Sequence, residues 1–379
     1  MEIYMAKNKK KCSEGDACRL NKVGGQAVLE GVMMKAGERT VTTCRKEDGS
    51  LVVYDSKFVS IRKKKKIFNI PLIRGVVNFI EMMSLSVKTM SNSADALGIE
   101  EEDGKLERWL KKHIGVGITS VIMVIATILG VALAIGLFMF LPSFIAELID
   151  TYAFAGKLGP WVSGIEGVIK IGIFLLYLWL VSFIPDIKRT FMYHGAEHKS
   201  IACFESGTEL SASNAKNYTR FHPRCGTSFM FFMIMLGVFV GFFVKLIFPN
   251  LPSLAYTGIR LLLLPVVVGL GYEFIMFAGK HNNFFTRLMS TPGLWVQRIT
   301  TKEPTEDMLE VAIISIKCAL RDDFPEFMEY YKARPWEEKP EAVNGNKEAE
   351  PIDAGEKATP EEEIIPAEAE KESSENEAL

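Results

Sequence analysis

His194, Glu197 and His198 form a His-x-x-Glu-His segment, the inverted order of the zincin motif. On a helix, residues four apart project from one face with their Cβ atoms about 5–6 Å apart. Both imidazoles can then reach one ion. In that arrangement the histidines bind the metal and the glutamate serves as general base toward its water. The surroundings read as a helix: Ile187, Phe191, His194, His198, Ile201 and Glu205 recur at steps of 4, 3, 4, 3 and 4. Both histidines and Glu205 therefore fall on a buried stripe. The alternative is a hydrogen-bonded core pair, since buried histidines need partners whether or not a metal is bound.

Other positions bear on the choice. The chain has five histidines, and His194, His198 and His222 share one loop. His281 follows the last apolar segment, and His113 begins the first. Pro223 forces an extended backbone at His222, which could aim that side chain back at the loop. Cys225 is either a soft ligand or a small apolar residue at a helix start. Glu273 lies inside an apolar stretch, six residues before Gly279, so roughly 9 Å along a helix. An ionisable residue there is costly and marks function by default. Two histidines with Glu273 or His222 as third ligand make a catalytic zinc set with one open position.

The elements that must position these groups are mostly membrane helices. Residues 114–141, 161–184, 226–248 and 254–279 are long, apolar and nearly free of charge. Each exceeds the roughly 20 residues needed to cross a hydrocarbon core. Lysine and arginine alternate across them: 22 before the first span, Lys157 alone after it, six after the second, none after the third. By the positive-inside rule both termini and the middle loop, residues 186–225, are cytoplasmic. The basic start (Lys7, Lys9, Lys10, Lys11) runs into polar sequence, so no secretory signal is expected. Glu166 and Lys170, four apart in the second span, are positioned to pair.

Composition agrees with this segregation. The 379 residues are 48% hydrophobic and 24% charged, with a formal net charge of −2. From Glu337 onward 15 acidic residues face four lysines, a net of −11, leaving about +9 for the rest. Six scattered cysteines exclude a disulfide scaffold. Residues 1–66 form a small cytoplasmic region, where Thr40–Cys44 and Leu51–Tyr54 flank Glu47-Asp48-Gly49-Ser50 as a β-hairpin. Residues 67–112 carry an amphipathic helix and linker. That helix either lies on the inner membrane surface, with Lys63, Lys64, Lys65 and Lys66 beside anionic headgroups, or packs on the cytoplasmic domain. Residues 113–279 are the four-helix membrane domain. Residues 280–334 hold cytoplasmic helices, one with Met308, Leu309, Ala312, Ile313, Ile316 and Leu320 as its apolar side. Residues 335–379 are expected to be a disordered acidic tail.

The chain resembles the YqhQ-like bacterial membrane proteins, a family of unknown function commonly labelled metal-dependent enzymes. The resemblance rests on residues 24–34, the Tyr193-His-Gly-Ala-Glu-His-Lys199 block and His222-Pro-Arg-Cys-Gly-Thr-Ser-Phe229. Gly271-Tyr-Glu273 and the stretch from Pro292-Gly-Leu to Thr300-Thr-Lys-Glu-Pro304 extend it. It implies a bacterial plasma-membrane protein and a metal site, and supplies no substrate. The expectation is a polytopic α-helical membrane protein. Its divalent metal, zinc, would be held by His194, His198 and Glu273 or His222, with Glu197 as base. It would hydrolyse a peptide, lipid or acyl bond near the inner leaflet. Expected partners are the bilayer, its anionic headgroups and a membrane protein or lipid substrate, with no nucleic acid. The rival is a non-enzymatic membrane-protein biogenesis factor or scaffold whose His/Glu cluster is structural. Ion transport has only Glu273 and the Glu166–Lys170 pair to draw on.

Overall fold

The computed structural model describes Arg19 and residues 22–98, 118–222, 225–280, 284–325, 327 and 352–354. His113, Pro223, His281 and most of the acidic tail lie outside the described residues, as does the basic start. Within the tail, Ile352–Ala354 form a short strand, β5.

Four strands precede the helices: β1 (Val23–Val28), β2 (Gly31–Ala36), β3 (Arg39–Arg45) and β4 (Leu51–Lys57). They form an antiparallel meander in the order β1-β2-β3-β4-β5. The expected hairpin is β3–β4, with Thr43 opposite Val53. Asp48 accepts hydrogen bonds from the Ser50 amide and hydroxyl, and Gly49 takes φ +83°, which favours glycine. Strands β1 and β2 were not foreseen, because Gly24-Gly25 and Gly31 weaken any strand signal.

The sheet buries both faces, and its period-2 alternation sorts the residues. Val32, Met34, Val41 and Val53 face one cluster with Tyr193, Phe204 and Leu309. Met33, Cys44, Val52 and Tyr54 face another with Leu85 and Ala96. The first face is covered by α5 (Pro185–Glu205) and α9 (Glu306–Ala319), the second by α1 (Ile73–Ala96). In α9, Ser315 Oγ donates to the Val32 carbonyl at 2.7 Å and lies 2.7 Å from Thr43 Oγ1.

Four helical stretches are long and apolar enough to cross a membrane: Thr127–Ala153, Gly159–Val181, Phe229–Ile247 and Ser253–Phe274. They belong to α2 (Ile118–Ile135) continued by α3 (Leu141–Ala153), α4 (Val162–Val181), α6 (Gly226–Ile247) and α7 (Ser253–Lys280). The first ends twelve residues beyond the expected Leu141. Pro142 does not stop it, because a π-turn at Gly136–Phe140 puts the proline in the first turn of α3. A proline there gives up no needed N–H. The Glu166–Lys170 pair forms, with Nζ 3.3 Å from Oε1. Arg260 of α7, missed in the sequence, also binds Glu166, and Tyr256 donates to its Oε2 at 3.2 Å. This buried network ties α4 to α7.

Helix α1 crosses α7 at glycines: a Cβ on Gly75 would lie 2.7 Å from Tyr272 Cβ and 2.9 Å from Gly269 Cα. Beside the crossing, Arg74 grips Glu273, with Nε donating to Oε1 at 2.6 Å. On α5, a Cβ on Gly195 would fall 2.0 Å from the Lys302 carbonyl oxygen, on the segment after α8 (Phe284–Thr300). The Lys302 amide in turn donates to the Phe191 carbonyl at 2.8 Å. Gly195→Ala should therefore push that segment off α5 and destabilise the protein by about 1–3 kcal/mol. Thermal unfolding in detergent checks this, with Gly24→Ala as the silent control, since nothing lies within 4 Å of its added methyl.

Candidate metal centre

From Tyr193 to Glu205, helix α5 is buried on nearly every side. Imidazoles in such a place must be hydrogen-bonded. His194 Nδ1 donates to the Thr300 carbonyl at 2.9 Å. Thr300 ends α8, so its carbonyl has no partner within the helix. His198 Nδ1 donates to the Arg220 carbonyl at 2.6 Å. A carbonyl only accepts, so both protons sit on Nδ1 and both Nε2 lone pairs are left free. Metal-binding histidines are oriented by this same device.

The two Nε2 atoms turn toward Cys225. His194 Nε2 lies 3.2 Å from Cys225 Sγ, and His198 is hydrogen-bonded to the same sulfur. One ligand atom from each of His194, His198 and Cys225 lies within 4.8 Å of the others. In a tetrahedral zinc site with Zn–N near 2.0–2.1 Å and Zn–S near 2.3 Å, the N–S edge is about 3.6 Å. The donor set and its spacing thus fit zinc with small adjustment. The electrostatics lean the same way. Burial, then the neighbouring His194, pushes His198 below its usual value, favouring the neutral ring. Burial raises the Cys225 thiol, but His198 and the Thr227 hydroxyl outweigh it and hold it below its ordinary value. The bond that favours the Cys225 thiolate is a proton shared with His198, and a cation bound there would displace that proton and leave neutral imidazole and thiolate as its ligands.

Glu197 is buried and stands three residues after His194, coupled electrostatically to His194 and Cys225. Burial pushes its carboxyl up to about 8, while His194 and the Gly25 amide N–H pull it down. A Cβ on Gly25 would lie 2.9 Å from Glu197 Oε1, so glycine lets β1 cover the carboxylate.

Neither expected third ligand, Glu273 or His222, belongs to this group. Glu273 is engaged by Arg74 and the Leu72 amide. Its place inside an apolar helix is answered by that pairing with α1. His222 stands behind His198, ring centroids 5.5 Å apart, with Nε2 3.8 Å from Glu205 Oε2. Among the described residues, Cys225 completes the group instead. Its signal was present in the sequence, but a single cysteine without a CxxC partner says little.

Positioning residues had weaker signals still. Gln297 is fully buried and clamps the His222 backbone: its Oε1 accepts the His222 N–H at 2.8 Å and its Nε2 donates to the His222 carbonyl at 2.8 Å. The His222 backbone is thereby fixed to α8. Glu30 in the β1–β2 turn takes φ +45° and binds Arg189, five residues before His194, and Tyr193, the residue beside it. Lys199 meets Glu303 at 2.7 Å and the Lys216 carbonyl at 3.0 Å.

Four helices apolar enough to cross a membrane, a small antiparallel sheet and a His/His/Cys group define a class, and comparison supplies its family. Residues 70–322 match the family described as "Protein of unknown function (DUF1385)", and the chain belongs to it. It is 36% identical over 300 residues to "Uncharacterized protein YqhQ" of Bacillus subtilis (strain 168), covering 79% of this chain and 92% of that protein. No solved structure matches.

Gln297→Leu would leave two buried backbone groups of His222 unpaired, at about 1–3 kcal/mol each. The expected result is a loss of about 2–6 kcal/mol in denaturant unfolding of the detergent-solubilised protein. An unchanged midpoint would show that the clamp does not hold the loop.

Proposed function

We propose that this chain is a metal-dependent hydrolase of the bacterial plasma membrane, with both termini and the His/Cys site on the cytoplasmic side. The lysine and arginine bias supports the sidedness. The observation that carries the metal is the pair of Nδ1–H···O=C anchors, which leave both Nε2 atoms facing Cys225. His194, His198 and Cys225 would hold a divalent cation, zinc by donor chemistry, with a fourth position open. Zinc in such a set supplies Lewis acidity and polarises a water. Glu197, whose carboxyl burial holds at about 8, would be ionised by the cation's charge, take the water's proton and return it to the leaving group. Gly25 N–H orients that carboxylate, and the packed surroundings keep bulk solvent away. Cys225 directly precedes α6, whose apolar stretch begins at Phe229. That closeness favours a peptide, lipid or acyl bond at the inner leaflet as the substrate.

The burial of His198 and Glu197, at 2% and 5% exposed, favours a second reading. The cluster would then be structural, holding the loop of a membrane-protein biogenesis factor or scaffold.

Full-length purified protein should contain about one zinc per chain by mass spectrometry, and His194→Ala, His198→Ala and Cys225→Ala should each lose at least tenfold in metal affinity. Metal content indifferent to all three would overturn the site. Glu197→Gln separates the readings: a hydrolase keeps its metal and loses its cellular function, whereas a scaffold keeps both.

A further inference from the structure

Helix α1 presents its apolar side away from the protein. The side packed inward carries Gly75, Glu81, Leu85, Thr89, Ser93 and Ala96, mostly small or polar. The opposite side carries Ile73, Ile80, Met83, Val87 and Met90, which are 39–67% exposed. Their steps of 7, 3, 4 and 3 align them in one stripe. Just upstream, Ile61, Ile67, Ile70 and Leu72 are exposed as well. They are interleaved with Lys63, Lys64, Lys65 and Lys66, all exposed.

The position of α1 decides what covers this face. Its first turn is fixed to α7 by the Gly75–Gly269 crossing and by Arg74–Glu273. Glu273 sits at the end of the apolar stretch Ser253–Phe274. The outward stripe therefore continues the apolar surface of the membrane helices at the level where that surface ends. A water-facing stripe of five large apolar side chains would be strongly unfavourable there.

We propose that this face is seated in an anionic lipid bilayer. Helix α1 lies along the boundary between headgroups and acyl chains, and Lys64, Lys65 and Lys66 bind lipid phosphates, while Lys63 pairs with Glu38 at 2.6 Å. Aliphatic and thioether side chains suit acyl chains, and clustered ammonium groups suit anionic headgroups within a Debye length. An apolar partner helix would cover the stripe but offer nothing to Lys64, Lys65 and Lys66. This proposal is independent of the metal site.

The test uses the full chain in nanodiscs of phosphatidylcholine and phosphatidylglycerol, containing a lipid with a photoactivatable acyl chain. Adducts should map to Ile80, Met83 and Val87 and spare Glu81, Leu85 and Thr89. Replacing Lys64, Lys65 and Lys66 by Gln should lower co-purifying phosphatidylglycerol roughly threefold or more while the stripe remains labelled. A stripe that stays unlabelled while the spans are labelled, or that cross-links to another protein or a second copy, overturns the proposal. Lipid retention unchanged by the lysine substitutions overturns its headgroup half.

Discussion

Two imidazole N–H groups buried in one helix must each find an acceptor, and both acceptors are backbone carbonyls from distant parts of the chain. Thr300 ends α8, and Arg220 lies in the loop before α6. Each bond fixes a tautomer, so each ring has one nitrogen left over. Those nitrogens converge because the loop that supplies Arg220 also supplies Cys225. The site is thus a by-product of satisfying buried polar groups with main chain rather than with water or side chains.

Main chain reaches the histidines only where side chains give way. Gly195 admits the Lys302 carbonyl to the surface of α5, and Gly25 admits β1 to Glu197. Charged groups then hold the approaching segments: Glu30 grips Arg189, and Glu303 meets Lys199. Gln297 imitates a β-ladder against His222, the most economical way to pin an irregular loop, since one amide satisfies a backbone N–H and C=O together. The sheet owes its two buried faces to helices of different character. Helix α9 is buried nearly all round, whereas α1 offers the sheet one side and leaves its apolar side outward.

The ionisable residues in the membrane helices follow one rule with two outcomes. Glu166 is joined by Lys170, Arg260 and Tyr256 inside the bundle. Glu273 is joined by Arg74 from a helix outside it. A carboxylate in an apolar helix demands a cation, but hydropathy and spacing do not say whether that partner is a metal or an arginine. Glu273 looked like a ligand because Arg74 is 199 residues away in sequence.

Local pattern was legible in the sequence wherever it is dense. The four apolar stretches, the β3–β4 hairpin, the helical form of α5 and the apolar side of α9 were readable, because periodicity and hydrophobicity act within a few residues, but α5 is buried all round from Gly195 on rather than along one stripe. The meeting of His194 and His198 followed from their spacing. The glycine-weakened strands β1 and β2 were not, nor was the continuation of the first span through Pro142. The third member of the cluster depended on tertiary structure. In one dimension Glu273 and His222 stood ahead of Cys225, since a lone cysteine without a CxxC partner is a weak signal. Only the packed chain distinguishes them, because convergence on a point within hydrogen-bond range is set by long-range contacts such as Gln297 on His222, to which local sequence spacing is blind. The sequence determined which residues could do chemistry, through residue type and helical period. The fold decided which of them meet, through the close backbone approaches that two glycines allow.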